Sequence, residues 1–244
     1  MGEPKLRLSG RIAVVTGGGK GLGAALVRAL GEEGADVAFS YRDSRPGAEK
    51  EAEALRSSGR RAFVARADAR MPGQVAGFVE EAAVALGGVD YLVNNVGVFR
   101  PFSLEELTEE ALDEAFEVNV KAAVMAARAA APHVVRRGGG AIVNVASLGG
   151  LRPWKSYLPY CATKAALVMA TQCLALLLAP EIRVNAVAPG ILDPPGADSA
   201  LKRRIPAGRF GAHAEIVETV LFLLAGGGYT TGEVVRVDGG RALR

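Results

Sequence analysis

The sequence predicts an α/β fold: a doubly wound parallel seven-stranded sheet (Rossmann-like), a single domain over residues 1–244. Three observations predict it. Short apolar runs of strand length alternate with stretches of helical periodicity along the whole chain, the pattern of a parallel sheet covered by helices on both faces. Glycine and proline punctuate the joins, as at Gly87-Gly88 and Gly138-Gly139-Gly140. A chain of 244 residues suffices for one such core and leaves no length for a second domain.

Taken in order, the first strand candidate is the apolar run Ile12-Ala13-Val14-Val15, followed by a glycine-rich loop. Beyond the loop Leu22, Ala25, Leu26, Ala29 and Leu30 recur at helical spacing. Further strands are expected at 36–40, 61–65, 91–94, 141–145, 183–187 and 234–237. Helices are expected at 48–57, 74–86, 109–135 and 214–224. Another helix carries Tyr160 and Lys164 and runs on through 165–179 with almost no charged face. A helix apolar all round is normally buried on all sides, so its outer face is expected to meet a second subunit.

Half of the residues are hydrophobic and 23% are charged, as in ordinary globular proteins. The net charge is only +3, with basic and acidic residues interspersed, which argues against dedicated nucleic-acid binding. The stretch 165–179 is interrupted by Thr171 and Gln172 and reads as too short to span a bilayer. No targeting segment is visible, so a cytoplasmic protein is expected. The two cysteines, Cys161 and Cys173, read as small packing residues rather than a disulfide framework.

Two constellations carry chemistry. Thr16-Gly17-Gly18-Gly19-Lys20-Gly21-Leu22-Gly23 sits between a strand and a helix, the context of a dinucleotide-binding turn. Glycines there allow close backbone approach to a pyrophosphate, which the helix N-terminus stabilises. The spacing is Gly-x-x-x-Gly-x-Gly rather than the common Gly-x-Gly-x-x-Gly. The second constellation is Tyr160-Cys161-Ala162-Thr163-Lys164. Four positions apart on a helix, phenol and ammonium share a face. The ammonium is expected to favour the phenolate and lower its pKa toward neutrality, poising it for proton transfer.

These motifs resemble the single-domain short-chain dehydrogenases/reductases. Residues 16–23 match that family's TGxxxGxG, Asn94-Asn95-Val96-Gly97 its NNAG (with valine for alanine), and Asn119 its helix asparagine. Ser147 precedes Tyr160 by the family's serine-to-tyrosine interval, Tyr160 and Lys164 form YxxxK, and Pro189-Gly190 falls where the nicotinamide pocket closes. The resemblance implies Asn119, Ser147, Tyr160 and Lys164 as the catalytic set. Tyr160 acts as proton donor in reduction, and Ser147 donates to the carbonyl oxygen. Lys164 bonds the nicotinamide ribose, and Asn119 holds a water that links Lys164 to solvent. It implies cofactor contacts from Gly17, Gly19, Lys20, Gly21, Leu22, Gly23, Asp68, Asn95, Val96, Gly97, Tyr160, Lys164, Pro189 and Gly190. Asp68 reads either as the adenine contact or as a helix N-cap.

The cofactor expected is NADP(H). Tyr41 occupies the position where an acid would bind the ribose 2′-hydroxyl of NAD, and Arg42 follows it. Lys20 and Arg42 suit a 2′-phosphate, though Asp43 stands close by. No metal site is expected. Segments 205–211 and 237–240 look most like the 3-oxoacyl-carrier-protein reductases, which implies an acyl-thioester or small carbonyl substrate. Arg136 and Arg137 then stand where an acidic acyl-carrier protein docks, or complement a helix dipole. Another small ketone, a quinone or a pteridine is the alternative substrate, and a non-catalytic NADP sensor the alternative class. The family also implies a homotetramer or homodimer. The substrate loop is expected at about 190–206, stiffened by Asp193-Pro194-Pro195-Gly196. Trp154 and Leu158 either line the substrate pocket or anchor its loop; His133 and His213 read as surface or capping residues.

Overall fold

The computed structural model describes residues 6–71, 73–192 and 199–244, so the Asp193-Pro194-Pro195-Gly196 segment lies outside the described residues. Seven strands form one sheet in the order β3-β2-β1-β4-β5-β6-β7. They are β1 (Ile12–Thr16), β2 (Asp36–Tyr41), β3 (Ala62–Arg66), β4 (Tyr91–Asn94), β5 (Gly140–Val145), β6 (Ile182–Pro189) and β7 (Val234–Val237). All six pairings are parallel, with Val15 opposite Phe39 and Val93, and Val143 opposite Asn185. The central strands are buried on both faces, which is why they read as continuous apolar runs rather than alternating ones.

Helices α1 (Gly21–Glu32), α2 (Arg45–Ser57) and α8 (His213–Leu221, after the short α7, Ser199–Lys202) bury one core with the sheet, around Leu26, Leu30, Phe39, Ile216 and Leu223. Helices α3 (Gln74–Leu86) and α5 (Ala122–Arg136) build the other, around Phe78, Leu92, Ala126 and Ile142. Strand order reverses direction between β1 and β4, and an open sheet binds ligands in the crevice beyond its carboxyl edge there. The site is therefore positioned by topology before any side chain is considered.

The single helix expected at 109–135 is in fact three pieces. Helix α4 (Glu109–Phe116) runs into a π turn (Glu117–Lys121), and α5 continues from it. Asn119 lies in that π turn, an insertion common at functional sites. A second π turn (Phe222–Gly226) likewise ends α8. Helix α6 (Leu158–Leu178) buries Pro159, Thr163, Lys164, Leu167, Thr171 and Ala175, a stripe at three- and four-residue spacing.

The opposite side of α6 exposes Leu158, Met169, Leu176 and Leu177, so the helix is not buried all round within one chain. With 21 residues, α6 is long and apolar enough to cross a membrane by length and composition, contrary to the sequence expectation. Its buried stripe of Lys164, Thr163 and Thr171 is instead that of a helix packed on a sheet. Cys173 is exposed on it, not packed as expected, and both cysteines are free.

Candidate active site

The glycine loop is a surface where side chains do not fit. A Cβ on Gly23 would lie 2.0 Å from the Gly17 carbonyl oxygen and 2.7 Å from Asn95 Nδ2. One on Gly19 would meet Ser44 Oγ at 2.3 Å, so the loop lies against the chain leaving β2. Gly17 and Gly21 also take positive φ (74° and 56°), which L side chains rarely adopt. Val96 gains a local account: its Cγ2 lies 2.9 Å from where a Gly17 Cβ would be, filling the space the glycine leaves. Asn95 fastens the loop to β4, donating from Nδ2 to the Thr16 and Gly17 carbonyls at 3.1 and 3.0 Å.

A cleft of ≈ 540 Å³ follows from this packing. Gly17, Gly19, Lys20, Gly21, Leu22 and Gly23 line it, with Tyr41, Arg42, Asp68, Asn95, Val96 and Gly97, so twelve of the sequence-predicted cofactor residues share one wall. Lys20, Arg42 and Ser44 all border it beside the loop, while Arg42 also pairs with Asp43. Asp68 is buried and gripped by Arg70 through Nε and Nη2, which holds its carboxyl down at about 2. It does not cap α3, whose N-cap is Gly73. The glycine cradle, the α1 N-terminus and the cations beside it fit a nicotinamide adenine dinucleotide.

A second cleft of ≈ 870 Å³ shares Leu22, Asn95, Gly97, Val98 and Phe99 with the first and contains Ser147, Tyr160, Lys164, Pro189 and Gly190. Lys164 is buried on α6, and its Nζ donates to the Val145 carbonyl at 2.8 Å. It stands 5.9 Å from the Tyr160 ring centre. Ser147 follows β5 and caps a 3₁₀ turn (Leu148–Gly150), its Oγ accepting from Gly149 N–H at 3.0 Å. That turn presses on α6 because Gly150 has no side chain: a Cβ there would lie 2.6 Å from the Lys164 carbonyl carbon.

Asn119 is fully used by its neighbours. Its Oδ1 accepts from Val98 N–H at 2.7 Å, and its Nδ2 donates to Val98 O at 3.1 Å and Thr163 Oγ1 at 2.9 Å. A buried ladder supports the same region. Asn94 Nδ2 donates to Asn144 Oδ1, and Asn144 Nδ2 to Thr171 Oγ1, both at 2.9 Å.

The electrostatics differ from the sequence expectation. Burial pushes the Tyr160 phenol up from its ordinary value of 10, and a hydrogen bond from Ser147 pulls it back. Burial also lowers the Lys164 ammonium to about 8. The lysine is therefore not a fully solvated cation acting on a solvated phenol. Both groups are desolvated, and each disfavours its own charged form.

Sequence reasoning offered Trp154 as a pocket residue but missed Phe99 and Tyr157 beside the phenol. Phe99 packs edge-on against Tyr160 at 4.7 Å between centres and stacks on Tyr157 at 4.5 Å. Trp154 lies over Tyr160 at 6.0 Å and lines the cleft, whereas Leu158 points to solvent. A further signal was Tyr157, three residues before Tyr160 at the N-cap of α6. The basic candidates fare differently. Arg137 is tied to buried Asp90 through Nε and Nη2 at 3.1 and 2.9 Å, an ion pair that Arg11 shares. Arg136 meets His133, which pairs with Glu80. Among the described residues no cluster suited to a metal ion occurs.

With this geometry established, comparison with known proteins is informative. Residues 17–242 match the family profile described as enoyl-(acyl carrier protein) reductase. The chain is 37% identical to cis-4-hydroxycyclohexanecarboxylate dehydrogenase of Sinomonas cyclohexanicum, covering 94% of this chain and 96% of that protein. It is 33% identical to the 3-oxoacyl-[acyl-carrier-protein] reductase of Staphylococcus aureus, covering 93% and 96%. A blue fluorescent protein from a metagenomic library, solved in complex with NADPH, superposes with a TM-score of 0.93 at 37% identity, covering 97% and 99%.

Proposed function

Because this chain belongs to the short-chain dehydrogenase/reductase family, we propose that it reduces a carbonyl to an alcohol with NADPH, Tyr160 donating the proton. The observation that supports this most is the meeting of two clefts at Gly97, where a Cβ would lie 3.2 Å from Asn119 Oδ1 and 3.5 Å from Lys164 Nζ. That missing side chain leaves room between the glycine cradle and the Ser147–Tyr160–Lys164 cluster. When bound, the reduced nicotinamide supplies the hydride. Ser147 orients the carbonyl and donates to its oxygen as negative charge grows there. Tyr160, kept protonated by burial, is the general acid. Lys164, held by the Val145 carbonyl, keeps a cation beside the phenol as it loses its proton.

The residues around the glycine loop support NADPH over NADH: Lys20 and Arg42 border the end of the cleft where a 2′-phosphate would lie. The substrate we propose is a 3-oxoacyl thioester, on the similarity to the Staphylococcus aureus reductase and the apolar, aromatic cleft. A smaller cyclic or linear ketone is the second reading, favoured by the relative that acts on a hydroxycyclohexanecarboxylate. A docked acyl-carrier protein would rely on Arg136 more than on Arg137, which Asp90 holds. We further propose a cytoplasmic homo-oligomer joined through the exposed apolar face of α6. Purified protein offered acetoacetyl thioesters and simple ketones with NADPH or NADH tests the reading. NADPH-dependent loss of nicotinamide absorbance is expected, and equal efficiency with NADH would refute the cofactor preference.

A further inference from the structure

Beside the substrate cleft lies a separate cavity of ≈ 460 Å³ whose walls, among the described residues, include Arg152, Arg203, Arg204, Arg241 and Arg244 and no Asp or Glu side chain. Five arginines around one space make it favourable for an anion. Trp154, Pro153, Arg204 and Arg241 line both this cavity and the cleft that holds Tyr160, so the two are separated by little more than one indole ring. Trp154 lies on the Tyr160 ring at 6.0 Å.

Arg152 is held, not loose. Arg152 donates from Nη1 to the carbonyl oxygens of Arg241 (3.3 Å) and Ala242 (2.8 Å) and to a main-chain oxygen of Arg244. Asp238 braces the same turn by accepting from Gly240 and Ala242 N–H, at 2.9 and 2.7 Å. One donor is left over. Arg241 Nη1 is buried with no hydrogen-bond partner among the described residues, and a buried guanidinium N–H without an acceptor is costly. Burial and the neighbouring charges of Arg204 and Arg152 both disfavour its cation, with Asp238 opposing them. A planar, forked donor in a cationic recess is the arrangement that binds carboxylate or phosphate oxygens.

We propose that this cavity is a subsite for an anionic oxygen group, carboxylate or phosphate, carried by the same molecule whose carbonyl Tyr160 protonates. The proposal rests on the reductase reading above and narrows its substrate class to anionic carbonyl compounds. It predicts that the anion sits on the far side of Trp154 from the reacting carbon, with Arg241 as its principal contact.

Binding is measured first, without turnover. Trp154 is the only tryptophan in the chain, so its fluorescence reports on the cavity wall. Inorganic phosphate and succinate are titrated into protein saturated with NADP⁺, to keep them out of the dinucleotide cleft. A saturable change is expected, weakened about tenfold or more in Arg241→Gln and less in Arg241→Lys. No saturable change, or the same curve in Arg241→Gln, overturns the site.

Turnover then separates the two sources of anion. Acetoacetyl-coenzyme A is compared with acetoacetyl-N-acetylcysteamine, which lacks phosphate, and an oxo acid with its methyl ester. The anionic member of one pair is expected to be favoured about 10- to 100-fold in kcat/KM, mainly through KM. That ratio should shrink in Arg241→Gln and partly return in Arg241→Lys. Equal efficiency within both pairs overturns the subsite. A saturable titration with no carbonyl compound reduced would sink the reductase reading, and the assignment of the anion to a substrate with it.

Discussion

The two clefts that meet at Gly97 are made of different material. The dinucleotide cradle is backbone: its shape comes from side chains that are missing at Gly17, Gly19 and Gly23, and a methyl group at Gly23 would collide with a carbonyl oxygen 2.0 Å away. The substrate cleft is side chain: Phe99, Trp154, Tyr157 and Tyr160 pack ring on ring, and the ionisable groups among them are desolvated. A backbone site tolerates almost no substitution at its glycines. A side-chain site accepts other shapes but depends on what burial does to each charge. The first should therefore lose affinity when changed, and the second should lose rate or selectivity.

The largest separation of the two is expected from Gly23→Ala. Its Cβ has no room, so NADPH affinity should drop by about 100-fold or more in a calorimetric titration. Comparable NADPH binding by the variant would mean the cradle is not shaped by that contact. Ser147→Ala comes next on the other side: loss of the donor to the carbonyl oxygen should lower kcat by about 100-fold while the NADPH Kd stays put. A parallel loss of NADPH affinity would show that the two clefts are not separable there.

The pH dependence sharpens the same contrast. Lys164 titrates at about 8 when folded, against an ordinary value of 10.5. Below about pH 8 folded and unfolded chains both carry the proton. Between about 8 and 10.5 the unfolded chain holds more, so stability should rise with pH relative to Lys164→Met. Reduction should fall over the same range, because the cation beside Tyr160 is lost. Denaturation midpoints and kcat/KM measured from pH 7 to about 10 check both signs, and a stability difference that falls with pH would contradict the burial of Lys164. The smallest effect is expected from Trp154→Leu, with KM for ketones raised about three- to tenfold and NADPH binding unchanged. A rise in the NADPH Kd instead would place the indole in the wrong cleft.

The same difference decides what was legible in the sequence. Glycine positions, strand runs and the Tyr160–Lys164 spacing are local, and local patterns survive in a one-dimensional reading, so all seven strands and the residues that share the first cleft were legible. Strand 183–187 was read short of Ile182–Pro189, and 61–65 was one residue early. The helix expected at 109–135 hid a π turn at Asn119, since a five-residue turn leaves the apolar pattern on either side intact. The lowered tyrosine pKa was wrong in direction, because spacing gives proximity to Lys164 and says nothing of how deeply both groups are buried. The aromatic wall joins residue 99 to residues 154–160, and the arginine cavity joins 152 to 203–244. Only the sheet topology brings such distant segments together.

The most direct test of the account is a single turnover with NADPH-loaded protein and an excess of reducible ketone, comparing wild type with Tyr160→Phe. The two proteins should bind NADPH with the same Kd, and nicotinamide absorbance should decay about 1,000-fold more slowly in the variant, the loss of a general acid. Decay within tenfold of wild type would show that the proton comes from elsewhere and that Tyr160 is part of the wall, not of the chemistry.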